Sequence, residues 1–267
     1  EEAPAGEQRP YSPPELNAEQ EAAASDGLEG RGEAVLVIAG PGAGKTALLV
    51  ERVARLVESG VEPGSILALT FTNKAAAELS SRVARRLSGI ADEAVASSTF
   101  HAFGASLEAF LKADEPAGEE DFLLSEAERD SLLCDIAQRF GLGARSAKRL
   151  GRYIESRKRL LLGPGEAGAR GEPPAPGLPP LEEDAPLDAG LEGGYEAYEA
   201  ALASLGARDF DALVFRPARL LASDPSLLAA ARNRWRRLLV DEYQDVNYAQ
   251  YALVRLLSGA PFAIGDP

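Results

Sequence analysis

The sequence predicts an α/β fold, a parallel sheet flanked by helices and interrupted by a mainly helical inserted subdomain. Strand-like apolar runs alternate with helical periodicity over residues 35–99, and a long helical stretch without a convincing strand follows. Strand-like runs then return at Leu238–Val240 and Phe262–Ile264. Strand, helix and strand in short order require crossover helices packed on a parallel sheet.

Residues 1–15, acidic and Pro-rich, read as a linker or disordered segment. The first part of the sheet domain is expected over residues 16–103. "LNAEQEAAAS" opens it as a short helix, followed by the Gly-rich turn "DGLEGRGE" and a strand at Val35–Ile38. Beyond a Gly-rich segment at 39–46, "TALLVERVARLVESG" sets Leu48, Leu49, Val53, Leu56 and Val57 at helical spacing and stops at Gly60. "ILALT" reads as a second strand, "NKAAAELSSRVARRLSG" as a second helix and "AVASST" as a third strand. Residues 104–207 form the expected helical insertion. Within it, the Pro/Gly-rich stretch at about 163–194 lacks the periodicity needed to bury a face and is expected to be a mobile loop. Residues 208–267 complete the sheet domain through "DFDALVFRPARLLASDP", a basic helix at "AARNRWRR", the strand before "DEYQD" and a last strand in "PFAIGDP".

With 267 residues and 45% hydrophobic content the chain can bury a sizeable core, as one domain with a large insertion or as two domains. No apolar run approaches the roughly 18 residues of a membrane span, and the N-terminus is not a basic-then-apolar signal, so the chain reads as soluble, intracellular and cytoplasmic, with no membrane partner. It starts without Met and contains none, which suggests a fragment or a processed product. The single Cys134 excludes an internal disulfide and, beside a single His, argues against a zinc site; its helical apolar setting predicts a buried thiol. Forty-two acidic residues against 28 basic ones give a net charge of −14, the wrong sign for gripping nucleic acid over the whole surface. A local basic face can still operate, and residues 139–160 are strongly basic with Glu155 as the one acid. That segment is either a solvated helical face or a nucleic-acid contact. Trp235 reads as packing beneath the sheet.

"AGPGAGKT", residues 39–46, follows a strand and opens a helix. A phosphate cradle needs glycines so that backbone N–H groups can wrap the phosphates, a Lys for the β and γ oxygens, and a hydroxyl for Mg²⁺. Gly40, Gly42, Gly44, Lys45 and Thr46 supply these at the required spacing, with Pro41 and Ala43 between them and Ala39 where the pattern has its first Gly. A plain turn is the alternative. An ATPase also needs acids at the end of a neighbouring strand, and "LLVDEYQD" offers them. Asp241 would hold the metal with Thr46, and Glu242 would act as general base.

Together these residues resemble superfamily 1A DNA helicases of the UvrD/Rep/PcrA type. "DEYQD" looks like their DExQD box, "LNAEQ" their LNxxQ segment, "ALTFTNKAAAEL" (68–79) motif Ia and "STFHAF" (98–103) motif Ib. "DFDAL" matches the segment returning from the inserted subdomain, and "GDP" the opening of motif III. The resemblance implies a RecA-like P-loop NTPase lobe, ATP and Mg²⁺ as cofactors, and single-stranded DNA or a single-strand/duplex junction as partner. It makes Gln20 the reader of the adenine edge and Gln244 a residue coupling the nucleotide site to DNA. It places Thr70, Phe71, Thr72, Asn73, Lys74, Thr99 and His101 along the DNA strand, although Phe71 taken alone could be a core aromatic and His101 a structural histidine. It gives the basic segment a place on the insertion called 1B, and implies a second RecA-like lobe, absent from this chain, that supplies arginines to the γ-phosphate. The implied activity is ATP-driven movement 3′ to 5′ along one strand, with the chain alone binding nucleotide but hydrolysing it slowly. Another DNA-repair P-loop ATPase and a non-catalytic nucleotide- or DNA-binding module are the competing readings.

Overall fold

The computed structural model describes residues 15–28, 33–88, 90, 94–113, 121–141 and 144–267. The expected linker lies outside these residues apart from Glu15. In chain order the elements are α1 (Ala18–Ser25), β1 (Val35–Ile38), α2 (Lys45–Glu58), β2 (Ile66–Thr70), α3 (Asn73–Arg86), β3 (Ala96–Thr99) and α4 (Phe100–Leu111). There follow β4 (Phe122–Leu123), α5 (Glu126–Arg139), α6 (Ala144–Arg159), α7 (Glu192–Leu205), β5 (Ala207–Arg208), α8 (Ala212–Ser223), α9 (Pro225–Arg234), β6 (Arg237–Val240), α10 (Tyr248–Leu257) and β7 (Phe262–Gly265). The described residues divide into two compact units. One comprises those of Glu1–Ser98 with Trp235–Gln244 and Ala260–Pro267, the other Thr99–Arg234 with Asp245–Gly259. The second unit is thus wider than the 104–207 insertion expected from sequence, because α8 and α9 pack with α4, and α10 with α8 and α9.

The first unit carries a five-stranded sheet in the order β1–β7–β6–β2–β3. β1 runs parallel to β7 with Val35 opposite Phe262, β7 to β6 with Phe262 opposite Leu239, and β6 to β2 with Leu238 opposite Leu67. Residues of both parities in β2, β6 and β7 are buried, as in a parallel sheet covered on both faces. β1 differs: Val35 and Val37 are half-buried, whereas Leu36 and Ile38 are exposed. Ala24, Leu48, Leu49, Val53, Leu56, Leu79 and Val83 pack with Ile66, Ala68, Leu239 and Ile264, which fixes α1, α2 and α3 on one face. α1 is short, but it starts in a capping box made by Asn17 and Gln20 and is held at its other end by the buried Arg52, which donates to the carbonyls of Ala24 and Asp26. A buried Glu51 binds Arg86 at 2.9 Å and ties α2 to α3. Trp235 is buried before β6, as expected.

In the second unit Gly104 of α4 lies against the backbone of α8; a Cβ there would sit 2.0 Å from the Leu213 carbonyl oxygen, so only Gly allows this approach. α5, α6 and α7 enclose Leu133, Ile136, Leu150, Ile154, Tyr195, Tyr198 and Leu202. The insertion is not purely helical, since β4 and β5 pair in parallel through Phe122–Ala207 and Leu123–Arg208. The Pro/Gly-rich stretch is a packed segment instead of the expected mobile loop. Gly168 and Ala185 exchange two backbone hydrogen bonds of 2.9 Å, and Leu178 and Leu181 are buried. Its polar backbone is satisfied from outside as well: Arg157 donates to the Ala185 carbonyl at 2.8 Å and Tyr248 to that of Pro179 at 2.5 Å. Cys134 is exposed, not buried, because Leu133 and Ile136 take the inward face of α5.

A buried charge pair anchors this unit. Lys158 Nζ lies 2.8 Å from Asp209 Oδ2 and 2.7 Å from Glu199, with Lys158 and Asp209 each almost fully buried. Asp209 also accepts from the Tyr198 hydroxyl at 3.0 Å and the Ala212 N–H at 2.9 Å. Burial alone would push the Asp209 carboxyl up, but Lys158 and these hydrogen bonds hold it below the usual carboxylate range. Asp209→Ala is expected to cost about 3–5 kcal/mol of unfolding free energy by taking from the buried Lys158 its one fully buried carboxylate partner and leaving it Glu199 alone. Because the folded carboxyl titrates below its unfolded value, the contribution of Asp209 is full at neutral pH and fades as pH falls through the carboxylate range. Urea unfolding of wild type and variant should therefore show a gap that narrows towards acid pH; a pH-independent gap would remove the charge from the explanation.

Candidate functional site

Strand order decides where the chemistry gathers. β7 lies between β1 and β6, so the segments leaving the carboxyl ends of these three strands share one edge of the sheet. They carry 39–46, Asp266 and Asp241–Gln244 respectively. The crevice outside the carboxyl ends is where open α/β sheets bind ligands.

Gly42 and Gly44 have φ of 76° and 79°, left-handed values that side chains resist. Gly44 caps α2, so the free N–H groups of the first turn of α2, beginning at Lys45 and Thr46, open towards the loop. Pro41, Gly42, Ala43 and Gly44 are exposed, while Ala39, Gly40, Lys45 and Thr46 are partly buried. Gln20 reaches this loop from α1 and donates from Nε2 to the Ala43 carbonyl at 2.7 Å, while its Oε1 accepts from the Asn17 N–H at 2.9 Å. It thus braces the loop and keeps one amide hydrogen for a further acceptor.

Lys45 Nζ is hydrogen-bonded to Asp266 and, at 3.3 Å, to Glu242. Asp266 above all, and Glu242 with it, holds the ammonium above its ordinary pKa against the opposing effect of burial. Asp241 is buried at the end of β6; burial first, and the neighbouring Glu242 charge, raise its carboxyl, while the Glu242 N–H at 3.0 Å opposes the rise. A buried carboxylate of this kind favours a cation beside it. Glu242 itself has φ of 50°, a strained left-handed value for a non-glycine residue, which turns its side chain to Lys45 and to Gln244 Nε2 at 3.0 Å. Gln244 Oε1 accepts from the Asp266 N–H at 2.8 Å.

The donor set fits Mg²⁺. Thr46 offers a hydroxyl and Asp241 a carboxylate, hard oxygens of the kind Mg²⁺ combines with water and phosphate oxygens. Among the described residues no group of three or more His, Cys, Asp and Glu forms a metal cage, and Mg²⁺ does not need one.

The residues expected along DNA fall in both units. In the first, Thr70 is buried and donates its hydroxyl to the Thr72 carbonyl at 3.2 Å, Phe71 is half-buried in the following bend, and the exposed Thr72 caps α3, whose first residues Asn73 and Lys74 are exposed. In the second, Thr99 caps α4 by accepting from the Ala102 N–H at 3.2 Å. His101 stacks on Phe210 with ring centroids 3.8 Å apart and planes inclined by 22°. Burial, then Arg159, holds the His101 imidazole below its ordinary pKa, so the ring is neutral and suited to stacking. Phe210 is exposed, and sequence reasoning gave it no role; an aromatic flanked by Asp209 and Asp211 was the available signal. Much of the basic segment is structural: Arg157 and Lys158 are buried, and Arg149 and Arg159 pair with Asp188 and Glu155. Lys148 and Arg152 are exposed.

A family model for the UvrD/REP helicase N-terminal domain matches residues 16–267. The chain belongs to the UvrD/REP helicase family. ATP-dependent DNA helicase UvrD1 of Mycobacterium tuberculosis is 36% identical over 240 residues, covering 88% of this chain and 30% of that protein. DNA helicase II of Escherichia coli is 32% identical over 228 residues, and ATP-dependent DNA helicase PcrA of Staphylococcus aureus 32% identical over 229, each covering 84% of this chain. The chain spans about 30% of the length of these curated relatives. No helix among the described residues is long and apolar enough to cross a membrane.

Gly44→Ala is expected to cost about 1–2 kcal/mol, since any side chain there pays the left-handed penalty. Its Cβ would also meet Gln20 Nε2 at 3.3 Å. Chemical denaturation that finds the variant as stable as wild type would mean the loop has another conformation.

Proposed function

We propose that this chain is the N-terminal, ATP-binding portion of an ATP-dependent DNA helicase or translocase that moves 3′ to 5′ along single-stranded DNA. The observation that carries the reading is the meeting of Lys45, Asp241 and Glu242 at one sheet edge, beside a glycine loop that opens a helix. The backbone N–H groups of 39–46 and the start of α2 hold the phosphates, and the Lys45 ammonium reaches the β and γ oxygens. Thr46 and Asp241 would hold Mg²⁺, whose charge would offset that of the transferring phosphoryl group. Glu242 takes the proton of the attacking water, and Gln244 links the end of β6 to the end of β7. Gln20 places its remaining amide hydrogen at the adenine edge.

On the DNA side, Phe71 lines the strand channel in the first unit with Thr72, Asn73 and Lys74 around it. Thr70 and Thr99 set the backbone at their positions, and the His101–Phe210 stack offers an aromatic surface in the second unit. Lys148 and Arg152 supply cations towards a single-strand/duplex junction. In this reading a second RecA-like lobe supplies arginines to the γ-phosphate, a contribution worth roughly 10³–10⁵ in rate for phosphoryl transfer. The chain by itself therefore binds nucleotide and turns it over slowly.

Titration with a fluorescent ATP analogue and Mg²⁺ tests the site. Lys45→Ala is expected to weaken binding by about 1.5–3 kcal/mol, the value of a charged hydrogen-bonding group. Unchanged affinity in that variant would sink the assignment. Phe71→Ala is expected to weaken single-stranded DNA binding by about 1–3 kcal/mol, measured by fluorescence anisotropy, with nucleotide binding retained. Equal DNA affinity in both proteins would return Phe71 to the core.

A further inference from the structure

Asp266 has no part in the reading above, yet it is the group that grips the phosphate-loop lysine. Lys45 Nζ is bonded to Asp266 Oδ1 and to Glu242 Oε2, and the Lys45 side chain is only 12% exposed. The Glu242 carboxylate and the Asp266 backbone are themselves held. The Asp266 N–H donates to Gln244 Oε1 at 2.8 Å, and Gln244 Nε2 donates to Glu242 Oε2 at 3.0 Å, so Lys45, Asp266, Gln244 and Glu242 close a ring. Gly265 lets the ring close: a Cβ there would fall 2.9 Å from Gln244 Oε1.

We propose that Asp266 is a latch, a counter-ion that competes with nucleotide phosphate for Lys45 and is displaced when phosphate enters. An ammonium has three N–H donors, and two of those of Lys45 are taken by carboxylates. Phosphate oxygens need the same donors, so binding exchanges one anion for another. The apparent affinity is then reduced by the fraction of molecules in which Lys45 is held. Displacement also releases the carboxylate at the end of β7 from the loop after β1, leaving Asp266 attached to Gln244 through its backbone N–H alone. Entry of phosphate is thereby transmitted to Gln244 and the end of β6. The inference rests on the reading of 39–46 as a phosphate cradle.

Calorimetric titration of the 267-residue chain with ADP tests it, using wild type, Asp266→Asn and Asp266→Ser, with adenosine as the phosphate-free control. Both variants are expected to bind ADP roughly three- to tenfold more tightly than wild type, the range of a partly buried contact pair. The gain should persist between about 0.05 M and about 0.5 M KCl, because a contact pair is screened less than a distant field, and adenosine should bind all three proteins alike. Unchanged or weaker ADP binding, a gain lost at high salt, or an equal gain for adenosine would overturn the latch. Binding of ADP to none of the three would overturn the cradle and the latch with it. A ligand-independent check is the thermal-unfolding cycle of Lys45→Met and Asp266→Asn without added nucleotide. Non-additive effects support the pair, and strict additivity removes it whatever the fate of the cradle.

Discussion

The pairing of β7 between β1 and β6 is the constraint on which the rest of the molecule depends. Neighbouring strands are about 4.8 Å apart, so the carboxyl ends of three adjacent strands fall within the reach of one lysine side chain. Lys45, Glu242 and Asp266 are separated by 197 and 221 residues in sequence and meet only because of that order. The same sheet holds Glu242 at a positive φ that an isolated turn would relax. Strain there is tolerated because hydrogen bonds on both sides, Ala39 N–H to the Gly265 carbonyl and Asp241 N–H to that of Leu69, fix the strand ends.

The glycine loop at 39–46 was legible in sequence because its parts are local. Positive φ at Gly42 and Gly44, the start of α2 and the placement of Lys45 are all dictated within eight residues, and apolar periodicity marked the five strands of the main sheet. What remained hidden was juxtaposition. Nothing in "GDP" shows that its Asp meets Lys45, nor in "DFDAL" that Phe210 meets the His101 ring, since neither contact has a sequence period. Composition misled over the Pro/Gly-rich stretch, where Leu178, Leu181 and Ala185 are too irregularly spaced to signal a buried face and yet pack one. Cys134 was misjudged because an apolar helix still has an outer face, and Leu133 and Ile136 occupy the inner one.

Charge proved the least readable property. A stretch of cations suggests a surface for phosphate, but Lys158 lies in the interior of the second unit and Arg157 braces an irregular segment. Burying an ammonium is tolerable here because two carboxylates and an aromatic ring, that of Tyr198 at 5.4 Å, surround it. The acid that completes this pair is the first residue of "DFDAL", so that short segment joins the buried charge pair, the cap of α8 and the exposed ring of Phe210.

The outermost position of β1 has a consequence for how the chain behaves among copies of itself. Val35 and Ala39 direct their N–H groups to β7, so the intervening Leu36 and Ile38 turn theirs the other way and also bare their side chains. Such a strand invites another to pair beside it. Its brevity and the mutual repulsion of chains carrying a net charge of −14 oppose that pairing, and the repulsion weakens as salt rises. Colloidal behaviour is therefore coupled to the architecture of the sheet: the strand that leads into the glycine loop at 39–46 is also an outer strand with bare apolar side chains.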